Sequence, residues 1–260
     1  MSDILIPVLV LAGMGLLFGI LLGIAAKIFA VKKDERIDEI SEILPGANCG
    51  GCGYAGCSAY ASAIVNDNAP VNLCSAGGNE TSEKIGSVMG IKVEKTEKMV
   101  ARVFCQGAYD KASIKLEYKG TKDCFAAKRM AGGPKECQYG CIGLGSCISV
   151  CKFDAIHIVD NVAVVDEDKC VACGACVKKC VQNLIKLVPY SKNRSVLCSN
   201  HDKGPVAKNL CKNSCIGCKI CEKNCPSGAA VVVDNLSVID YEKCIDCGVC
   251  LEKCPKKLIK

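Results

Sequence analysis

Cys215, Cys218, Cys221 and Cys225 stand at the spacing C-x2-C-x2-C-x3-C, with Pro226 behind them. Cys244, Cys247, Cys250 and Cys254 repeat the spacing, with Pro255 behind. Three thiols inside seven residues are too tightly set for the two separated pairs of a structural zinc site. They are the spacing of an iron–sulfur ligand loop, in which the fourth Cys of each run reaches across to the other cluster. Cys215, Cys218, Cys221 and Cys254 are therefore expected to hold one 4Fe-4S cluster, and Cys244, Cys247, Cys250 and Cys225 a second. The chain has 24 Cys among its 260 residues, 5% aromatic residues and no Trp. So small a supply of large side chains leaves the clusters to hold much of the fold together, and their loss is expected to unfold these units.

The paired run is that of bacterial two-cluster ferredoxins. It has a hidden copy. A shift of 74 residues lays Cys124 on Cys198 and Cys137 on Cys211. It lays Cys141, Cys147 and Cys151 on Cys215, Cys221 and Cys225, and Cys170, Cys173, Cys176 and Cys180 on Cys244, Cys247, Cys250 and Cys254. "IVDNVAVVD" (158–166) falls on "VVDNLSVID" (232–240), each read as two strands around an Asp-Asn turn. The register is free of gaps from 124 to 186 and marks an internal duplication. One ligand breaks it: Leu144 stands where the second copy has Cys218. Cys137 lies four residues before Cys141, and Gly140, Gly143 and Gly145 lend the loop backbone freedom. The expectation is that Cys137, Cys141, Cys147 and Cys180 form one site of this copy, and Cys151, Cys170, Cys173 and Cys176 the other. The first copy also has Lys152 and Val181 where Pro follows the fourth Cys in the second. Different surroundings tune cluster potential, so the two pairs are expected to differ in potential.

A different motif lies nearer the N-terminus. "PGANCGGCGYAGC" supplies Cys49, Cys52 and Cys57, and "VNLC" supplies Cys74, a spacing of C-x2-C-x4-C-x16-C. Its glycines let the backbone wrap closely and aim N–H groups at sulfur, which points to a fifth 4Fe-4S cluster, with zinc as the rival reading. Ser58 to Val65 reads as a short helix. Cys105, Cys124, Cys198 and Cys211 are left over. They read first as buried or free thiols, with a sixth cluster as the alternative.

Ile4 to Ala26 carries no charge over 23 residues, enough for a helix to span a bilayer. Asp3, the absence of Lys or Arg before the span, and its length disfavour a cleaved signal peptide. Lys27, Lys32 and Lys33 follow it and place the rest of the chain on the cytoplasmic side of a cell (inner) membrane, single-pass. The reducing pool there disfavours disulfides and makes clustered Cys metal ligands. Gly15, Gly19 and Gly23 form a smooth stripe suited to a partner helix.

Several functions are excluded. The formal charge is +6, but the Lys are scattered among acidic residues with no basic stripe carrying aromatics, so nucleic acid is not a partner. Five clusters at about −2 each would turn the balance to about −4. There is no G-x-G-x-x-G and no P-loop, hence no direct nucleotide site. His157 and His201 read as surface residues. No arrangement of side chains suggests acid–base or nucleophilic catalysis, so this chain has no catalytic site of its own. Residues 81–104 form a charged stretch without Cys, read as a solvated connector or as a docking surface for a small acidic ferredoxin.

One membrane anchor, then "CGGCGYAGC…C", then tandem ferredoxin runs including "CQYGCIGLGSCISVCKFDAI" is a specific order. It resembles the B component of the Rnf-type ion-translocating ferredoxin:NAD oxidoreductase complex, over nearly the whole chain. The resemblance implies an electron-transfer subunit that takes electrons from soluble ferredoxin into a membrane complex transporting sodium ions or protons. Its partners would be the other subunits, ferredoxin and membrane lipid. Rival readings are a polyferredoxin subunit of another, quinone-linked membrane oxidoreductase, and a non-redox metal-binding protein. The expected fold is a small, cluster-stabilised α+β protein: an anchor (1–31), a single-cluster module (32–80), a connector (81–123), and two ferredoxin-like dicluster units (124–186 and 187–260).

Overall fold

The computed structural model describes residues 2–28 and 34–260. Helix α1 (Ser2–Ile28) contains the uncharged run, and none of its residues from Val8 to Ala25 is buried. With its large apolar side chains from Val8 to Ile24 open to their surroundings, the helix needs a covering medium, and its length and composition fit a membrane span. An added Cβ at Gly15, Gly19 or Gly23 would meet nothing within 4 Å, so the glycine stripe has no partner among the described residues. Lys27 sits in the last turn of α1. Lys32, Lys33 and the anchor boundary at residue 31 lie outside the described residues.

Three helices follow: α2 (Glu35–Ile43), α3 (Cys57–Asn66) and α4 (Gly78–Met89). The Asp34 carboxylate caps α2 by accepting from the Arg36 N–H. Ile40, Tyr60, Ile64 and Ile85 meet in one buried core. The Tyr60 hydroxyl, within that core, donates to Pro70 O at 2.6 Å and accepts from Leu73 N at 3.1 Å. The expected boundary at residue 80 cuts through α4. Burial of Ile85 against Ile40 and Tyr60 carries the module to Gly90, a left-handed helix cap at φ +69°.

The stretch read as a connector is also structural. Strand β1 (Met99–Val103) is followed by α5 (Cys124–Arg129), a hairpin of β2 (Ile156–Val159) and β3 (Val162–Val165), α6 (Ala175–Lys179) and β4 (Ile185–Pro189). β1 pairs antiparallel with β4, Val100 opposite Val188 and Val103 opposite Ile185. Residues 99–103 thus complete the first unit. The hairpin turns on Asp160 and Asn161, both at positive φ (+47° and +64°), the backbone that Asp and Asn tolerate best after Gly.

The second unit has α7 (Gly204–Leu210), α8 (Ile220–Lys223), the hairpin of β5 (Ala230–Val233) and β6 (Leu236–Ile239), and α9 (Val249–Lys253). Its hairpin turns on Asp234 and Asn235 at φ +45° and +63°, the same turn 74 residues on. The edge contact is repeated too. Phe104 N bonds to Leu184 O, and Leu197 N bonds to Leu258 O, both at 2.8 Å. Val196 pairs with Ile259 as Val103 pairs with Ile185. Here the displacement is 93 residues on one side and 74 on the other, so the first unit carries nineteen extra residues between its edge strand and its Cys loops. α5 lies inside that insertion.

The two units meet in related pairs. Arg102 is buried and grips Glu167 through two bonds of 2.9 and 2.7 Å. It also donates to Lys192 O at 2.9 Å and Ser195 Oγ at 2.8 Å, and Ser195 Oγ lies 2.6 Å from the Tyr241 hydroxyl. Ser195 is the counterpart of Arg102 by the 93-residue displacement, and Tyr241 that of Glu167 by the 74-residue one. The contact therefore sits on a pseudo-twofold relation between the copies.

Candidate metal centres

Cys49, Cys52, Cys57 and Cys74 line one space of about 330 Å³, together with Asn48 and Tyr60. Asn48 shapes the loop: its side-chain oxygen accepts from Cys57 N at 2.8 Å. α3 begins at Cys57, one residue before the expected start. Burial raises the Cys74 thiol, and the neighbouring Cys57, Cys52 and Cys49 raise it further.

Cys151, Cys170, Cys173 and Cys176 line a second space of about 320 Å³, the grouping that the spacing predicts. Ala101 N, on β1, points at Cys170 Sγ at 3.3 Å. This centre touches the first module. An added Cβ on Gly51 would lie 3.0 Å from Cys173 Cα, tighter than an ordinary contact, so glycine eases the approach. Lys152 Nζ holds the other side of the loop through Ala47 O at 3.1 Å and Asn48 O at 2.8 Å.

The third grouping corrects the sequence reading. Cys141, Cys147 and Cys180 line a space of about 400 Å³, and the fourth thiol there is Cys124, not Cys137. Cys124 opens α5, which Asp123 caps through Ala126 N at 2.8 Å. Ser146 Oγ accepts from Cys124 N at 2.7 Å and donates to Asp123 Oδ2 at 3.1 Å, fixing the helix start beside Cys147. Burial pushes the Cys147 thiol up to about 12, with Cys141 and Cys124 adding to it. The glycines are not there to swing Cys137 round. Gly143 (φ +81°) packs on the Asn161 turn, and its counterpart Gly217 (φ +62°) packs likewise on Asn235, where no ligand is missing. The insertion thus brings Cys124 to the space that Cys141, Cys147 and Cys180 line.

Cys137 lies instead in a fourth space of about 360 Å³ with Cys105, Cys198 and Cys211, three of the four thiols left over by sequence. The set has the symmetry of the units: Cys105 answers to Cys198 by 93 residues and Cys137 to Cys211 by 74. The hydrogen bonds repeat as well. Gly107 N and Cys141 N each lie 3.3 Å from Cys105 Sγ. Asn200 N and Cys215 N lie 3.5 and 3.4 Å from Cys198 Sγ. Buried Asn200 also reaches Cys137 Sγ at 3.6 Å. Buried Lys135 donates to Gly107 O at 2.6 Å and Asn161 O at 2.9 Å, with no carboxylate partner. Burial pulls its pKa down, while nearby Cys105, Cys141, Cys211 and Cys137 pull it up. Burial pushes Cys137 up to about 11 and Cys198 up to about 12. The signal that sequence reading passed over is "VFC" at 103–105 against "VLC" at 196–198, out of the 74-residue register.

In the second unit Cys215, Cys221, Cys244 and Cys250 enter one buried core, with Cys225 and Cys254 packed against it. Burial raises Cys250, and Cys244, Cys225 and Cys221 add to it. Burial likewise raises Cys221, next to Cys215 and Cys218. Burial would raise Cys225 too, but the N–H of Ala230 and the Ser227 hydroxyl outweigh it and the thiol is lowered. His157 is exposed, and exposed His201 lies by Asp234 O at 3.1 Å; neither lines one of these four thiol spaces.

The donor sets fit polynuclear iron–sulfur groups. Among the described residues no three His, Cys, Asp or Glu side chains crowd closely enough for a single metal ion. Tetrahedral zinc would need four sulfurs about 2.3 Å from one point. Backbone N–H groups are aimed at several of these sulfurs, the hydrogen bonding that tunes iron–sulfur clusters.

Comparison with known proteins agrees. Residues 44–76 match the family described as "Putative Fe-S cluster", and residues 214–259 match "4Fe-4S dicluster domain". The B component of an ion-translocating oxidoreductase complex from Methanosarcina acetivorans is 43% identical over 94% of this chain and 93% of its own length. The B component of the Na(+)-translocating ferredoxin:NAD(+) oxidoreductase complex of Acetobacterium woodii is 44% identical over 94% of this chain and 73% of its own. The proton-translocating counterpart of Clostridium ljungdahlii is 38% identical over 92% and 85%.

Proposed function

The chain belongs to the family of B components of ion-translocating oxidoreductase complexes, and from that premise we propose that it is the complex's membrane-anchored relay from soluble ferredoxin toward NAD reduction. A bound 4Fe-4S cluster supplies a one-electron carrier; the chain supplies thiolate ligands, burial, N–H groups aimed at sulfur, and spacing. We read six such sites rather than five, with Cys105, Cys137, Cys198 and Cys211 as the sixth.

The single observation that carries this reading is the bridging position of that sixth set. Cys141 donates its N–H to Cys105 Sγ and Cys215 donates its own to Cys198 Sγ, so one end of each dicluster unit abuts the same centre. At the other end of the first unit, Gly51 rests on Cys173. These contacts support one order of sites. Cys225, Cys244, Cys247 and Cys250 begin it, and Cys215, Cys218, Cys221 and Cys254 follow. The bridging set comes next, then Cys124, Cys141, Cys147 and Cys180, then Cys151, Cys170, Cys173 and Cys176. Cys49, Cys52, Cys57 and Cys74 close it. The last set lies nearest in sequence to α1, and Lys27 with Lys32 and Lys33 supports a cytoplasmic location for the line. Homologues differ in the ion their names carry, so the ion belongs to the complex and not to this relay.

The test uses everted membrane vesicles from cells lacking this subunit. They are expected to lose ferredoxin-driven NAD reduction, to regain it with the full chain, and to fail with Cys137→Ser. Full activity without the subunit would refute the role.

A further inference from the structure

The repeat places an open docking face beside an occupied one. Val171-Ala172-Cys173-Gly174 in the first unit answers to Ile245-Asp246-Cys247-Gly248 in the second. In the first unit the stretch is half-buried, because the Gly51 loop of another metal centre rests on Cys173. In the second unit Cys247 is exposed and Ile245 is 64% exposed, although Asn193 and Arg194 reach Asp246 between them. Cys218 is the one other exposed Cys among the described residues, and it belongs to the neighbouring site of the same unit.

The two faces differ in charge. Lys192 binds Cys244 O at 2.7 Å, and the Arg194 guanidinium comes within 3.7 Å of a Cβ built on Gly248. Exposed Lys243, next to Cys244, pairs with Asp240 at 3.3 Å. The 93-residue counterparts of Lys192 and Arg194 are Met99 and Ala101, so these two cations belong to the second copy alone, while Lys243 answers to Lys169. Asp246 faces Arg194 at 3.3 Å and is neutralised by it. Residues 187–260 carry twelve Lys and Arg against seven Asp and Glu.

We propose that the face around Ile245 and Cys247 is the seat of the electron donor: a small acidic protein that presents its own iron–sulfur centre through a close-fitting loop, as Gly51 does at Cys173. This rests on the functional reading above and assigns its entry point. The step is one electron out of the reduced donor and one electron into the Cys225, Cys244, Cys247 and Cys250 site, with no bond made and no proton moved. The first unit's matching end then serves as the exit, and the relay runs from an open seat to a filled one.

The test is stopped-flow reduction of the cluster-loaded full chain by a reduced two-cluster bacterial ferredoxin at low ionic strength. Ile245→Glu is expected to lower the second-order rate constant at least tenfold, and Lys243→Glu at least threefold. Iron content and reduction by dithionite should stay at wild-type levels in both. Added salt should slow the wild type and narrow its lead over the variants. Wild-type rates in both variants would overturn the proposal, as would a larger loss from Lys92→Glu with Lys95→Glu. An Ile245→Glu chain that reacts normally with ferredoxin but no longer joins the other subunits would assign the face to a subunit and overturn it too. A wild-type chain that ferredoxin does not reduce at all would instead remove the functional reading itself.

Discussion

The two dicluster units share a register of 74 residues, hairpin turns and hydrogen bonds, yet solve one problem differently. The second keeps Cys218 in its loop. The first has Leu144 there and draws Cys124 from α5, held by Asp123 and Ser146 in an insertion of nineteen residues. A ligand set is therefore a property of the space, not of the run. What fixes it is which thiol the backbone can carry to the wall. The comparison also teaches what duplication creates. Neither copy alone sets four thiols around the space between them, but two from each, related by the pseudo-twofold, line it.

The largest effect that can break this comparison comes from the substitute ligand. Cys124→Ser should remove the Cys141, Cys147 and Cys180 site, lowering iron by about four per chain. Adding Leu144→Cys to that variant, which restores the second copy's pattern, should bring the iron back. Electron paramagnetic resonance and iron counting read both outcomes. If Cys124→Ser leaves the count untouched, the two units do not differ in the way described.

Metal removal should separate the units from the module between them and the anchor. Three and four of the eleven buried residues in the two unit cores are Cys, whereas the module's core has Cys74 alone beside Ile40, Tyr60, Ile64 and Ile85, and so leans more on apolar packing. Chelation under denaturant-free conditions is expected to abolish hydrogen-exchange protection in β2–β6 while α2–α4 keep part of theirs. Equal loss throughout would show that the module leans on its cluster as heavily.

Next in size is the contact between copies. Arg102→Met removes two charge-assisted bonds from part-exposed Glu167, which keeps Lys260 at 3.9 Å, and one donor from Ser195, a cost of about 1.5–3 kcal/mol. Tyr241→Phe, which removes one hydroxyl from the same contact, should cost about 1 kcal/mol. Denaturation midpoints at constant slope check the order. The smallest effect is expected at Lys135, whose counterpart is Asn209. Its ammonium has only carbonyls and sulfur around it. Lys135→Met should retain iron and shift the bridging centre to lower potential, since a positive charge favours the reduced form. An unmoved midpoint would remove Lys135 from the tuning of that centre.

Sequence carried much of this. Local spacing gave the loops of the module and of the second unit. The Asp-Asn turns were readable because two residues fix that hairpin. What stayed hidden was non-local. β1 has no Cys and joins β4 some 80 residues away, so its stretch looked like a connector. Cys105 and Cys198 correspond through a three-residue match displaced by 93, which a gap-free register passes over. Proximity along the chain favoured Cys137 for the place of residue 144. The fold turns that thiol toward the second unit and brings Cys124 from twenty residues upstream of position 144.

Iron and acid-labile sulfide per chain, counted on the full chain prepared without oxygen beside its Cys137→Ser variant, test the central claim most directly. Six sites predict about 24 iron atoms, with about four fewer in the variant while the Cys124 site persists. About 20 in the wild type, unchanged by Cys137→Ser, would contradict the bridging centre and the continuous line built on it.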